Sequence, residues 1–165
     1  MTDNLEETKT EAPQETIQLV TFRVNQIILG VEISHVQEIN RHLEITRVPQ
    51  ASPMIHGVVN LRGDVVTVID PHRVFGIERD DTGTHQRNLI LNIDGERIGV
   101  LVDQVSDILT VHPSELSRRP SNVRSIDRQF IESVYLRDEE IVVVLNALHL
   151  LEVVEHHSEA ALANS

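Results

Sequence analysis

The sequence has no cysteine and no tryptophan, and its only aromatic side chains are Phe22, Phe75, Phe130 and Tyr135. Without cysteine, disulfides, thiolate metal centres and cysteine nucleophiles are all excluded. With so few rings, and no basic run longer than Arg118-Arg119, the stacking platforms and phosphate-binding stripe that nucleic acid requires are missing. No nucleic-acid partner is expected. No apolar run approaches the roughly 20 residues that span a bilayer. The opening segment, MTDNLEETKTEAPQET, is acidic and polar, the opposite of a signal peptide. Direct membrane insertion is therefore not expected, and the expected location is cytoplasmic. The catalytic fingerprints are missing too: there is no GxSxG, no Walker A, no GxGxxG and no serine beside a plausible base. No enzyme is expected.

What the chain does have is acid. It carries 26 acidic against 14 basic residues, a net charge of −12. Residues 1–16 contribute −4 and residues 155–165 contribute −2, so half of the excess belongs to the two ends. Low hydrophobicity with one sign of charge marks 1–16 as a disordered tail, with a second short tail over 157–165. The 165-residue length is enough to bury a core without covalent staples.

Between the tails the pattern is one of short apolar runs with turn residues between them. The stretch Gly57 to Asp70, GVVNLRGDVVTVID, has β-branched runs at Val58-Val59 and Val65–Ile69 around Asn60-Leu61-Arg62-Gly63-Asp64, and it predicts a hairpin. Gly63 supplies a positive φ for the turn, and Arg62 sits at its corner. Held between rigid strands, that arginine suits a protein-binding surface, although an ordinary exposed turn arginine remains the alternative. Ile17–Val24 and Ile27–Ile33 pair across Asn25-Gln26. Leu89–Ile93 and Ile98–Val102 pair across Asp94-Gly95, and Phe130–Leu136 pairs with Ile141–Leu145. Asp70-Pro71 starts a short helix that stops at Gly76, and Asn146 caps a second helix over 146–156 with Leu148, Leu151 and Val154 on one face. Ile33, Val36 and Ile39, at spacing three, form a helical turn or bend with an apolar inner side. Asp80-Asp81-Thr82-Gly83-Thr84 lacks apolar residues and divides a first unit, 17–80, from a second, 81–145. Each holds about five short strands, the size of small closed barrels.

Nine histidines invite a metal reading. His35, His42, His56, His72, His85 and His112 fall on separate elements, and neighbours such as His156-His157 point about 100° apart on a helix. His156 and His157, with His149 seven residues upstream, read as solvated surface histidines beside a polar tail, and no metal or cofactor is expected. Asp80-Asp81 and Asp138-Glu139-Glu140 read as solubilising turn acids.

Asn60-Leu61-Arg62-Gly63, preceded by Val36-Gln37-Glu38-Ile39, resembles the signature of the CheW-type chemotaxis adaptors. Phe22–Ile33 is similar to the family's opening hairpin. Val48-Pro49 with Ile55-His56-Gly57 is similar to the approach to the NLRG strand, Gly99-Val100-Leu101-Val102-Asp103 with Val105 and Val111 to the centre of the second half, and Ile141–Leu151 to the closing strand and helix. The resemblance covers residues 17–154. It implies an all-β fold of two SH3-like five-stranded barrels side by side, with short helices and a docked C-terminal helix. It also implies a noncatalytic adaptor that couples the cytoplasmic tip of a chemoreceptor to the regulatory domain of the CheA histidine kinase, monomeric in isolation and recruited to receptor arrays. On the family pattern Val36, Glu38, Gly57, Arg62 and Val105 line the receptor-binding groove between the barrels, with Glu38 near Arg62. Ile45, Arg47, Val48 and Val65 are the kinase-binding candidates. Thr67, Pro71, Glu132-Ser133 and Asn25-Gln26 depart from the pattern, leaving open an adaptor of a pilus-motility or other chemosensory array. A β-barrel binding module for another protein partner shares the same strand evidence. No receiver-like segment follows the second unit, which favours the simple adaptor over adaptor–receiver relatives.

Overall fold

The structure, a computed structural model, describes residues 15–41, 43–49, 51–79, 85–118 and 126–163. Most of the acidic tail and the whole Asp80–Thr84 break lie outside the described residues. So do His42 and Arg119.

Local chemistry explains most elements. β1 (Ile17–Val24) and β2 (Ile27–Glu32) form a hairpin, and a single 3-10 turn over Ile33–His35 leads into β3 (Val36–Asn40). β4 (Ile55–Leu61) turns at Arg62-Gly63 into β5 (Asp64–Ile69). Helix α1 (Pro71–Phe75) follows. The Asp70 carboxylate accepts the His72 N–H at 3.1 Å, Pro71 occupies the first turn, and Gly76 ends the helix at φ 73°. Then come β6 (Arg87–Ile93), β7 (Glu96–Val102), β8 (Gln104–Val111), the two-residue β9 (Leu116–Ser117), β10 (Ile131–Arg137) and β11 (Glu140–Leu145). Asn146 caps α2 (Ala147–Ala163) by accepting the His149 N–H at 3.0 Å, and α2 runs seven residues past the expected end at 156.

The protein is mostly β, with two sheets and few helices, as expected, and the SH3-like description fits. Its sheets are not five strands each, however, and do not divide at residue 80. One sheet has six strands in the order β8-β1-β2-β11-β10-β9; the other has five, β3-β6-β7-β5-β4. The first hairpin, β1–β2, lies between β8 and β11, from the far end of the chain. Neither sheet closes on itself by backbone bonds among the described residues. Both curl instead. Glu38 on β3 meets Arg62 beside β4, although β3 and β4 are opposite edges of the five-stranded order. Arg137 at the end of β10 reaches Asp107 on β8, likewise across the six-stranded sheet, at 2.8 Å.

Packing follows the two-residue period of the strands. Val59, Leu61, Val66, Val68 and Ile90 fill the inside of the five-stranded curl, while Leu19, Val111 and Val144 fill that of the six-stranded one. The outer faces meet in one large core. Val20, Phe22, Val24, Leu29 and Val31 come from one sheet, Leu89, Leu91, Ile98, Val100 and Val102 from the other, and Leu150, Leu151 and Val154 from α2. β6 is thus buried on both faces, with Leu89 and Leu91 outward and Ile90 inward. Two local expectations change. On α2 the inward side chains are Leu150, Leu151 and Val154, whereas Leu148, expected on that face, is 51% exposed. Of Ile33, Val36 and Ile39, only Val36 packs against the core; Ile33 and Ile39 are exposed.

Candidate protein-interaction surface

Leu61-Arg62-Gly63-Asp64 folds as a two-residue turn with positive φ at both central positions, Arg62 at 53° and Gly63 at 92°. That is the hairpin turn whose twist matches the strands. The Asn60 side-chain oxygen accepts the Gly63 N–H at 2.9 Å and locks it. Asn92-Ile93-Asp94-Gly95 repeats the device, with Asn92 accepting the Gly95 N–H at 2.9 Å and φ values of 53° and 89° at Asp94 and Gly95. The recurrent Asn-x-x-Gly spacing is a turn signal readable in the sequence beyond the Asp-Gly dipeptide. Its effect at the first hairpin is to place Arg62 at a fixed corner.

Across the curl, Arg62 Nη1 donates to Glu38 Oε2 at 2.8 Å, and Asn40 Nδ2 donates to Glu38 Oε1 at 2.7 Å. The bonds from Asn40 and then Arg62 hold the Glu38 carboxyl below its ordinary pKa, against a smaller opposing effect of burial. Glu38 is therefore ionised near neutral pH and fully engaged. The arginine side chain is 72% exposed and its partner 17%. One face of the guanidinium is thus tethered while the rest stays open to a ligand. The proximity expected of Glu38 and Arg62 is observed; Asn40, which anchors the carboxylate from the other side, was not anticipated.

The remaining candidates fall into distinct settings. Val36 on β3 and Val105 on β8 are half-buried, each packed against the large shared core. Gly57 is buried, and a Cβ there would lie 2.5 Å from both Ile45 Cγ2 and the Thr46 carbonyl oxygen. Its place is beneath the Ile45-Thr46 segment, where only a glycine lets the bridge between Thr46 and Val58 form. Its close approach seats the Ile45-Thr46 segment over β4. Ile45 packs half-buried against the inner core of the five-stranded sheet, Val65 is 71% exposed, Arg47 is exposed and Val48 half-buried.

Arg47 and Val48 border a cleft of about 550 Å³ that sequence reading did not foresee. His56, Asp70, Arg73 and Arg79 also line it. Burial is the main cause of a lowered His56 pKa; Asp70 opposes it, while Arg47 and Arg79 add to it. Asp70 is buried and heavily subscribed. Oδ1 lies 3.1 Å from His72 Nδ1, and Oδ2 is bound by Arg79 with Arg73 Nε at 3.8 Å. His72 Nε2 lies 3.0 Å from Asp103 Oδ2, which accepts the Asn25 backbone N–H at 2.6 Å. This polar chain joins the end of β5, α1, the β7–β8 link and the β1–β2 turn, fastening one sheet to the other. The sequence placed His72 alone on its element; only the fold brings two carboxylates to it.

The CheW-like domain family matches residues 18–155, five-sixths of the chain and every strand residue above but Ile17. The chain belongs to the CheW family. The Rhizobium etli relative named "Probable chemotaxis protein CheW" is 30% identical over 144 residues, covering 87% of this chain and 92% of that protein. The "Chemotaxis protein CheW" of Bacillus subtilis (strain 168) is 28% identical over 134 residues, covering 81% of this chain and 86% of the relative. Among solved structures, the scaffolding protein TtCheW from Thermoanaerobacter tengcongensis superposes with a TM-score of 0.77 at 28% identity, covering 86% of this chain and 90% of its own. The paired, curled sheets of this chain are thus similar in overall fold to a solved CheW scaffolding protein.

Proposed function

We propose that this CheW-family chain is a noncatalytic scaffold of chemotaxis signal transduction, which couples chemoreceptor signalling tips to a CheA-type histidine kinase. The observation that carries the reading is the Arg62 corner, rigid in its backbone and tethered by Glu38 across the curl of the sheet. A preorganised, mostly exposed arginine loses little conformational freedom on binding and offers several donors to a partner. The receptor-facing surface is Glu38 and Arg62, flanked by Val36 and Val105, with Gly57 supporting the segment beside them. The kinase-facing surface is Ile45, Arg47, Val48 and the exposed Val65. Binding at two surfaces of one rigid body lets receptor conformation bias the kinase, a coupling free energy between sites and not a reaction. No described helix is long and apolar enough to cross a membrane, and the scaffold is assigned to the cytoplasmic face of receptor arrays, reached through its partners.

Reconstitution tests the reading. Receptor-containing membranes, a CheA kinase and the wild-type chain should give kinase activity that responds to attractant, and the Arg62→Glu chain should not restore it. Failure of the wild-type chain to confer receptor control overturns the assignment.

A further inference from the structure

The cleft beside Arg47 has a charge opposite to that of the chain around it. Three guanidinium groups, Arg47, Arg73 and Arg79, face one carboxylate, Asp70, in a protein of net charge −12. That carboxylate is 7% exposed and already engaged by Arg79 and His72, whereas the Arg73 side chain is 64% exposed and only 3.8 Å from Asp70 at its nearest nitrogen. Arg47 has no ion-pair partner among the described residues. Arg47 is therefore uncommitted, and Arg73, whose ion pair to Asp70 is the long 3.8 Å contact through Nε, keeps its two terminal nitrogens outside that pair. The two arginines come from different elements, the segment before β4 and helix α1, so their charges are spread along the cleft. Val48, Pro53 and Ile55 add apolar wall between them, a lining that suits methylene stems carrying acidic heads.

We propose that this cleft receives an Asp/Glu-rich segment of the protein that docks on the Ile45–Val48 surface, its carboxylates taken by Arg47 and Arg73. The proposal rests on reading that surface as partner-binding and adds the chemistry of what it binds. Arginine forks match carboxylates in bidentate geometry. The excess of positive charge also steers an acidic segment toward this side of an otherwise acidic protein.

The test is fluorescence anisotropy of a labelled hexaglutamate peptide with the full chain, alongside binding of a CheA regulatory domain. Hexaglutamate should bind the wild type, weaken as salt is added, and lose about tenfold or more in affinity in the Arg47→Ser/Arg73→Ser double variant. Arg79 is left in place because it partners the buried Asp70, and the variant's thermal midpoint verifies that it is folded. The regulatory domain should lose affinity in the same variant. Hexaglutamate that fails to bind, or binds the variant equally, overturns the proposal. Inorganic phosphate that competes at the same concentration as the peptide's carboxylates overturns it in favour of a lone anion. Binding that emerges only after residues 1–14 are removed overturns it in favour of the chain's own acidic end. A regulatory domain that binds wild type and variant alike overturns the proposal while leaving the kinase-facing surface intact. Arginine-dependent hexaglutamate binding, with no binding of the regulatory domain, supports the acidic-segment chemistry and removes the kinase as its source.

Discussion

Replacing Gly57 with alanine puts a methyl carbon 2.5 Å from Ile45 Cγ2 and 2.5 Å from the Thr46 carbonyl oxygen, with the Thr46 carbonyl carbon at 3.1 Å. The isoleucine can rotate away. The carbonyl cannot, because the Val58 N–H donates to it at 2.8 Å and the Thr46 N–H donates back to Val58 at 2.8 Å. Relief therefore breaks the bridge. Two lost backbone hydrogen bonds cost about 1–3 kcal/mol, and partial withdrawal of Ile45 from the inner core costs about 1–2 kcal/mol more. For a domain of this size the total of about 2–5 kcal/mol lowers the thermal midpoint by roughly 10 °C. Differential scanning calorimetry and urea unfolding measure it. The same substitution displaces Ile45, Arg47 and Val48, so kinase-domain binding should weaken in the still-folded fraction below the transition. A Gly57→Ala chain with an unchanged midpoint would refute the close-packing argument and return Gly57 to the list of direct contact candidates.

Arg62→Glu faces Glu38 with a like charge but removes only an exposed ion pair, worth about 0–1 kcal/mol; its thermal midpoint should stay within a few degrees of wild type while receptor association, measured by co-sedimentation with receptor membranes, is lost. The Glu38 carboxyl has its pKa lowered from 4.5 by Asn40 and Arg62. Its contribution to stability is then present above 4.5 and disappears as pH falls through the lower folded value. Glu38→Gln should flatten the acid limb of a stability-against-pH curve below 4.5, and an unchanged slope counts against the Asn40–Glu38–Arg62 triad. His72→Ala removes the partner shared by Asp70 and Asp103, both little exposed, while Arg79 stays on Asp70 and the Asn25 N–H on Asp103; denaturant unfolding should report a loss of about 1–3 kcal/mol, and an unchanged stability would mean that the polar chain does not fasten the sheets.

The hairpins were legible because their signals are local. Two-residue alternation and a turn pair such as Asp94-Gly95 act within a dozen residues, and so do Asp70 and Gly76 at the ends of α1 and Asn146 at the start of α2. The Arg62 corner was legible for the same reason. Helix α2 was read too short because the apolar positions that marked it end at Val154 and the polar run Glu155–Ser158 follows, whereas the helix continues to Ala163. The sheet partners were not legible. β1 pairs with β8 because both line one curl, with Leu19 and Val111 sharing its inside, and no period in either strand encodes that choice. Gly57 shows the same limit. Its residue type announced a special backbone site, yet which segment crosses above it depended on where residues 45 and 46 travel.

By itself, the sequence determined what each short segment becomes and what chemistry is possible. Its lack of cysteine and of catalytic motifs, its β-branched runs and its turn residues act through covalent structure and near-neighbour sterics. Only the tertiary structure decided which segments meet. The curl that brings Glu38 to Arg62, the polar chain from Asp70 through His72 to Asp103, and the gathering of Arg47, Arg73 and Arg79 at one cleft all join residues distant in the chain. Such meetings follow from burying two sheets and a helix in a shared core, a demand that acts on the whole chain at once.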